Sequence, residues 1–144
     1  MDCIFCKIIA GVIPSFKVYE DKNTLAFLDI APVNPGHTLI VPKKHYANME
    51  EIPEEELGRL AAAIKRVGKA IKDGLGAEGY NITESNDPIA GQVVPHLHFH
   101  VIPRRQGDGL SLWPQGKYGP GEAEEAVKKI KDITALTGSR PHML

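Results

Sequence analysis

The chain has very little cysteine: among 144 residues only Cys3 and Cys6 occur. A disulfide between residues so close together would close almost no loop and add little stability. A disulfide-stapled secreted domain is therefore excluded, and the pair reads either as half of a metal site or as a redox couple in a reducing compartment. A basic surplus is missing too, since 17 Lys and Arg stand against 18 Asp and Glu. No global field draws nucleic acid, and none is expected as a partner. Long apolar runs are absent as well. The stretch from Ile8 to Ile13 stops at Pro14, far short of the ~20 residues a bilayer helix needs. Asp2 stands where a signal peptide would carry positive charge. The expectation is a cytoplasmic protein with no membrane partner. There is no internal repeat, low-complexity tract or linker, so one domain spanning 1–144 is expected.

What is present is a series of short alternating runs. Phe16 to Glu20, Leu25 to Leu28, and Thr38 to Val41 read as strands, the third stopped by Pro42. Pro53 opens a helix whose Leu57, Leu60, Ile64, Val67 and Ile71 form one apolar stripe, with Gly74 and Gly76 as terminators. Tyr80 to Thr83 and His96 to Ile102 read as further strands, the last closed by Pro103. Ala123, Ala126, Val127, Ile130 and Ile133 mark a second helix, which Gly138 follows. Helices do not alternate with every strand. The pattern predicts an α+β domain with a five-stranded antiparallel sheet and two helices. The run Ala61–Ala63 offers a small, flat face through which a second copy could pack, so a homodimer that extends the sheet is expected.

The segment His96-Leu97-His98-Phe99-His100 carries the chemistry. On a strand its three imidazoles share one face, while Leu97, Phe99 and Val101 share the other. Neutral imidazole is a competent nucleophile near neutral pH. It can displace a leaving group from phosphorus and form a covalent intermediate that water hydrolyses. The attacking nitrogen must be bare, and a hydrogen bond from the other ring nitrogen to a backbone carbonyl would fix that tautomer. The competing explanations are a plain metal cluster and a row of surface histidines.

His-φ-His-φ-His-φ-φ, with φ apolar, resembles the signature of the histidine triad (HIT) family. The openings Cys3-Ile4-Phe5-Cys6-Lys7-Ile8-Ile9 and Ala26-Phe27-Leu28-Asp29-Ile30, the stretch from Pro35 through His45, and Ala90-Gly91-Gln92 are similar to members of that family, in particular the Hint-like and bacterial or archaeal branches. The resemblance covers a core of residues 3–104, leaving a tail and helix over 105–144. It implies a hydrolase or transferase acting on a nucleoside 5′-phosphoryl bond, in a phosphoramidate, dinucleoside polyphosphate or nucleotidyl conjugate. A nucleoside monophosphate is released through a nucleotidyl-histidine, and the expected substrate is a purine nucleotide containing AMP.

Residue by residue, the resemblance makes His98 the nucleophile and His100 the histidine that contacts phosphate and assists the leaving group. Gly91, Gln92 and Val93 occupy the phosphate turn, and Asp29 takes the ribose hydroxyls. Ile4, Phe5, Ile8, Leu28, Ile30 and Leu39 line the base pocket, with His37 at its edge. Cys3, Cys6, His45 and His96 match the ligands of one structural zinc per chain, with no catalytic metal required. Two positions depart from the Hint branch. Val93 replaces a serine that meets the leaving group, and Ser85 or Asn86 stands for an asparagine beside the phosphate. The alternative functions are a nucleotide-binding regulator with incidental hydrolysis and a DNA-end processor that removes adenylate.

Overall fold

The computed structural model describes residues 2–137, and Gly138 lies outside them. Two compact units divide at Gly109 and Leu110. The first contains five strands and two helices. These are α1 (Ile4–Ile9), β1 (Lys17–Glu20), β2 (Thr24–Leu28), β3 (Thr38–Pro42), α2 (Glu54–Leu75), β4 (Gly79–Thr83) and β5 (Phe99–Arg104). The second contains α3 (Glu122–Thr137). No described helix is long and apolar enough to cross a membrane.

The strands form one antiparallel sheet in the order β1-β2-β3-β5-β4. Strand alternation sorts its side chains into two layers. Ala26, Ile40, Leu97 and Val101 face α2 and pack with its Leu60, Ile64, Val67 and Ile71. Leu25, Phe27, Leu39 and Val41 face the other way, onto Phe5 and Ile8 of α1. The packing of α2 on the sheet is close. A Cβ on Gly68 would lie 2.8 Å from the Tyr80 ring, so the helix needs a residue without a side chain there.

Several boundaries differ from the sequence expectation. The described residues hold three α-helices instead of two, because α1 was not foreseen. It is six residues long, too short for a periodic stripe, and Cys3 caps it by accepting from the Cys6 N–H at 3.4 Å. The prolines that mark the strand ends are themselves paired: β3 ends at Pro42, opposite Thr24, and β5 runs one residue past Pro103, which lies opposite Tyr80. Pro53 is the N-cap of α2, not its first residue, and the helix runs past Gly74 to Gly76, whose φ of 66° supplies the left-handed cap. The triad strand begins at Phe99, so His96, in a bend, and His98 lie in the segment that leads into β5. The same-face placement survives, because Leu97 and Val101 are both fully buried on the α2 side.

Candidate active site and metal cluster

The antiparallel pairing of β3 with β5 brings the site together. Thr38 sits opposite Val101, Leu39 opposite His100, and Ile40 opposite Phe99. The chain leaving β3 and the chain entering β5 therefore lie at the same end of neighbouring strands. This places His45 beside His96. At the other end of the same pair, His37 lies diagonally from His100 on the α1 face.

At the first end, Cys3, Cys6, His45 and His96 place their ligand atoms within 4.8 Å of one another. His45 Nδ1 is 3.1 Å from His96 Nδ1. Cys3 Sγ is 3.4 Å from His96 Nδ1, and Cys6 Sγ is 3.4 Å from His45 Nδ1 and 3.6 Å from His96 Nδ1. A tetrahedral zinc with ordinary bond lengths would set its donors about 3.4 Å apart for two nitrogens and about 3.6 Å for nitrogen and sulfur. The fully buried His96 donates from Nε2 to the Pro42 carbonyl at 2.9 Å, so a neutral ring leaves Nδ1 bare and aimed at both sulfurs. Both thiols are reduced. The donor set fits a closed zinc site, including the outer hydrogen bond that fixes a ligating imidazole.

The second end is built from His98, His100, His37 and Asp29. His98 donates from Nδ1 to its neighbour's carbonyl, His96 O, at 2.7 Å, which leaves Nε2 bare when the ring is neutral. Phe5 of α1 meets the His98 ring edge-on, with centroids 5.0 Å apart, and the His100 ring lies 5.1 Å away on the other side. The Val33 N–H donates to His37 Nδ1 at 3.1 Å. The proton of neutral His37 is therefore on Nε2, which is 2.9 Å from His100 Nδ1 and 3.7 Å from Asp29 Oδ2. Burial holds His37 below its ordinary range. Burial, with His98 and His37 adding to it, pushes His100 down to about 4. Both rings are neutral at pH 7, so His100 accepts at Nδ1 and carries its proton on Nε2. Asp29, His37 and His100 also lie close enough to share a metal. The hydrogen bond between the two imidazoles, however, already engages the facing nitrogens.

The remaining sequence-predicted residues distribute unevenly. Phe5, Ile8 and Leu39 form a buried apolar wall on the α1 face, whereas Ile4 and Ile30 are exposed. Leu28 instead lines an apolar pocket of about 410 Å³ with Val18, Pro35, Ile71 and Leu75, on the α2 side. Asp29 Oδ1 accepts from the Ala31 N–H at 2.8 Å. Gln92 braces its loop: Nε2 donates to Ala47 O at 2.6 Å and Val94 O at 3.1 Å, while Oε1 accepts from the Asp87 N–H at 2.8 Å. Asn86 is similarly engaged, accepting from the Met49 N–H and donating to Glu84. Ser85 is half-buried and lies 4.0 Å from where a Gly91 Cβ would stand, and Val93 is 88% exposed. Sequence reasoning missed the Val33 amide, the Phe5 contact on His98 and Asp87, whose φ of 75° strains the same loop. None of these has a local sequence signal.

The five-stranded antiparallel sheet, its row of imidazoles and the adjoining Cys-His cluster define an α+β protein with a histidine-based site. The family model described as the HIT domain matches residues 10–107, and the chain belongs to that family. It is 44% identical over 137 residues to the adenosine 5′-monophosphoramidase of Schizosaccharomyces pombe, covering 91% of this chain and 100% of that protein. The crystal structure of a HIT family member from Bacillus subtilis superposes with a TM-score of 0.85 at 42% identity, covering 92% of this chain and 96% of that one. A zinc-bound histidine triad family protein from Mycobacterium smegmatis gives a TM-score of 0.74 at 38% identity, covering 96% and 97%.

Proposed function

We propose that the protein is a hydrolase of nucleoside 5′-phosphoryl bonds, acting on an adenosine phosphoramidate or a related AMP conjugate. The observation that carries this reading is the hydrogen bond from His98 Nδ1 to His96 O. A surface histidine needs no such fixation, whereas a nucleophile needs one bare nitrogen of defined position. His98 Nε2 attacks the α-phosphorus, the P–N bond forms, and the bond to the leaving group breaks. The neutral His100 ring can donate a hydrogen bond from Nε2 to the phosphoryl group and the departing atom, and the proton that the leaving group takes up comes from solvent. Water then attacks phosphorus, the P–N bond breaks, nucleoside monophosphate leaves, and the proton of the attacking water passes to solvent, restoring neutral His98. Asp29 is assigned to the ribose hydroxyls and the Phe5, Ile8 and Leu39 wall to the base. Ser85 is the better candidate than Asn86 for the phosphate, because the Asn86 amide is already engaged. The close relationship to an adenosine 5′-monophosphoramidase supports the substrate class.

The test is turnover of adenosine 5′-phosphoramidate combined with rapid quenching. An adenylyl adduct on His98 is expected. An adduct mapping to His96 or His100, or turnover that survives His98→Ala, would overturn the assignment. Tight nucleotide binding without turnover would favour the regulatory alternative.

Zinc is proposed as the resident metal, held by Cys3, Cys6, His45 and His96. When bound it supplies bracing rather than chemistry, tying α1 to the ends of β3 and β5. A cytoplasmic homodimer is proposed with it. Edge strand β4 exposes Ile82, and Ala61 and Ala62 are open to a partner, whereas Ala63 is buried in the chain's own core. Light scattering should give about twice the 15.7 kDa chain mass at micromolar concentration. An active monomer would overturn the dimer.

A further inference from the structure

A polar pocket of about 300 Å³ lies apart from the histidines, lined by the β1–β2 turn (Lys22, Asn23), the end of β3 with its extension (Lys43, Lys44), and Arg59 and Leu60 of α2. Its charge is strongly biased in a chain whose net charge is −1. Lys22, Lys43, Lys44 and Arg59 line it, with Glu56 as the lining carboxylate and Glu20 behind Lys43. Four cations against two anions leave an excess of two positive charges. Both carboxylates are already engaged: Glu20 pairs with Lys43 at 2.8 Å and with Lys17 at 3.1 Å, and Glu56 accepts from the Tyr46 hydroxyl. Among the described residues, Lys22, Lys44 and Arg59 have no carboxylate at ion-pair distance. The pocket floor is rigid, since Thr24, Pro42 and Leu60 are all buried.

Uncompensated cations converging from three separate elements on one concavity repel one another unless an anion joins them. An Arg beside flexible lysines suits phosphate oxygens, the guanidinium by its planar fork and the lysines as point charges. The lining offers no aromatic face on which a base could stack. We propose that this pocket is a second, non-catalytic site that binds an anion carrying two or more linked phosphoryl groups, recognised by its charge and not by a nucleobase. None of its residues belongs to the histidine site or the metal cluster. Pro42 nevertheless connects them, lining the pocket while its carbonyl holds His96 Nε2.

Calorimetric titration of sodium tripolyphosphate and of orthophosphate into the full-length protein tests the proposal. Tripolyphosphate is expected to bind at this pocket at least tenfold more tightly than orthophosphate, and to weaken as salt is raised. The double variant Lys22→Gln, Arg59→Gln, both exposed positions, should weaken tripolyphosphate binding at least tenfold. Phosphoramidate turnover in that variant should stay within twofold of the parent. Unchanged tripolyphosphate binding in the double variant would overturn the site. Equal affinity for orthophosphate would overturn the polyphosphate class. A single-stranded oligonucleotide that displaces tripolyphosphate with more than tenfold higher affinity would assign the surface to nucleic acid instead.

Discussion

His96 and His98 are two residues apart on one face, yet the main chain holds them in opposite tautomers. His96 gives its Nε2 proton to Pro42 O and turns a bare Nδ1 toward the cysteines. His98 gives its Nδ1 proton to His96 O and keeps Nε2 bare. Identical side chains thus become a metal ligand and a nucleophile according to which carbonyl lies within reach. The same logic extends one step further to His100, where the acceptor role at Nδ1 is imposed by His37 and ultimately by the Val33 amide. Residue type alone does not assign chemistry along this segment; the backbone around each ring does.

The largest test of that contrast is kinetic. His98→Ala should lower turnover by about 10⁴-fold or more, the scale expected when a covalent nucleophile is lost. Nucleotide binding, measured by calorimetry, should remain, because Asp29 and the Phe5 wall are untouched. The matching change at the other end should split the other way. Cys3→Ser removes a zinc ligand, and binding free energy at such a site is folding free energy. A loss of about 3 kcal/mol would lower Tm by ~10 °C in a chain of this size, while turnover at low temperature persists. Metal analysis should report about one zinc per parent chain and none in the variant. If Cys3→Ser abolished turnover without changing Tm, the two ends would not be separable in the way the tautomers suggest.

Acid should weaken the second end. His100 titrates at about 4 in the folded chain against an ordinary value near 6.5, and His37 is displaced in the same direction. The unfolded chain therefore binds more protons in that window. Their contribution is fully present above about pH 6.5, is lost as pH falls toward 4, and does not change further below that. Denaturation midpoints measured from pH 7 to 4 should fall, and His100→Asn should flatten the slope. A parent protein whose stability is flat from pH 6.5 to 4 would contradict the neutral His37–His100 pair.

Much of this was legible beforehand, for reasons that differ by element. β2 and β3 were readable because burial on both faces leaves short, nearly continuous apolar runs, and α2 because its stripe repeats over 22 residues. Those signals are long enough to rise above chance. α1 was not legible, since six residues cannot display a period. The prolines locate the strand ends to within a residue, because Pro42 and Pro103 each sit at or beside a strand end, where the missing N–H costs little. The four metal-type residues could be named from the family pattern. Their meeting depends on the β3–β5 register, which no local run of sequence specifies. Gln92 shows the same limit at the level of one side chain. The resemblance places it in the phosphate turn, and the structure adds that its amide braces the loop.

Gln92 therefore supplies the smallest and most discriminating test, because it ties the two ends together. Its Nε2 reaches Ala47 O, on the segment that carries His45, and Val94 O, on the segment that leads into His96 and His98. Its Oε1 receives the N–H of Asp87, the residue held at a φ of 75°. Gln92→Ala would leave these main-chain groups to find water, at a cost of about 1–2 kcal/mol. That corresponds to a few degrees in Tm for a chain of this length. A bracing side chain and a phosphate-binding one fail differently. Loss of a brace lowers Tm and relaxes the strained loop, so kcat should fall only severalfold while KM changes little. Loss of a direct phosphate contact would leave Tm unchanged and raise KM or cut kcat by an order of magnitude or more. Thermal melts and steady-state kinetics on the one variant separate the two, and the observed hydrogen bonds favour the first outcome.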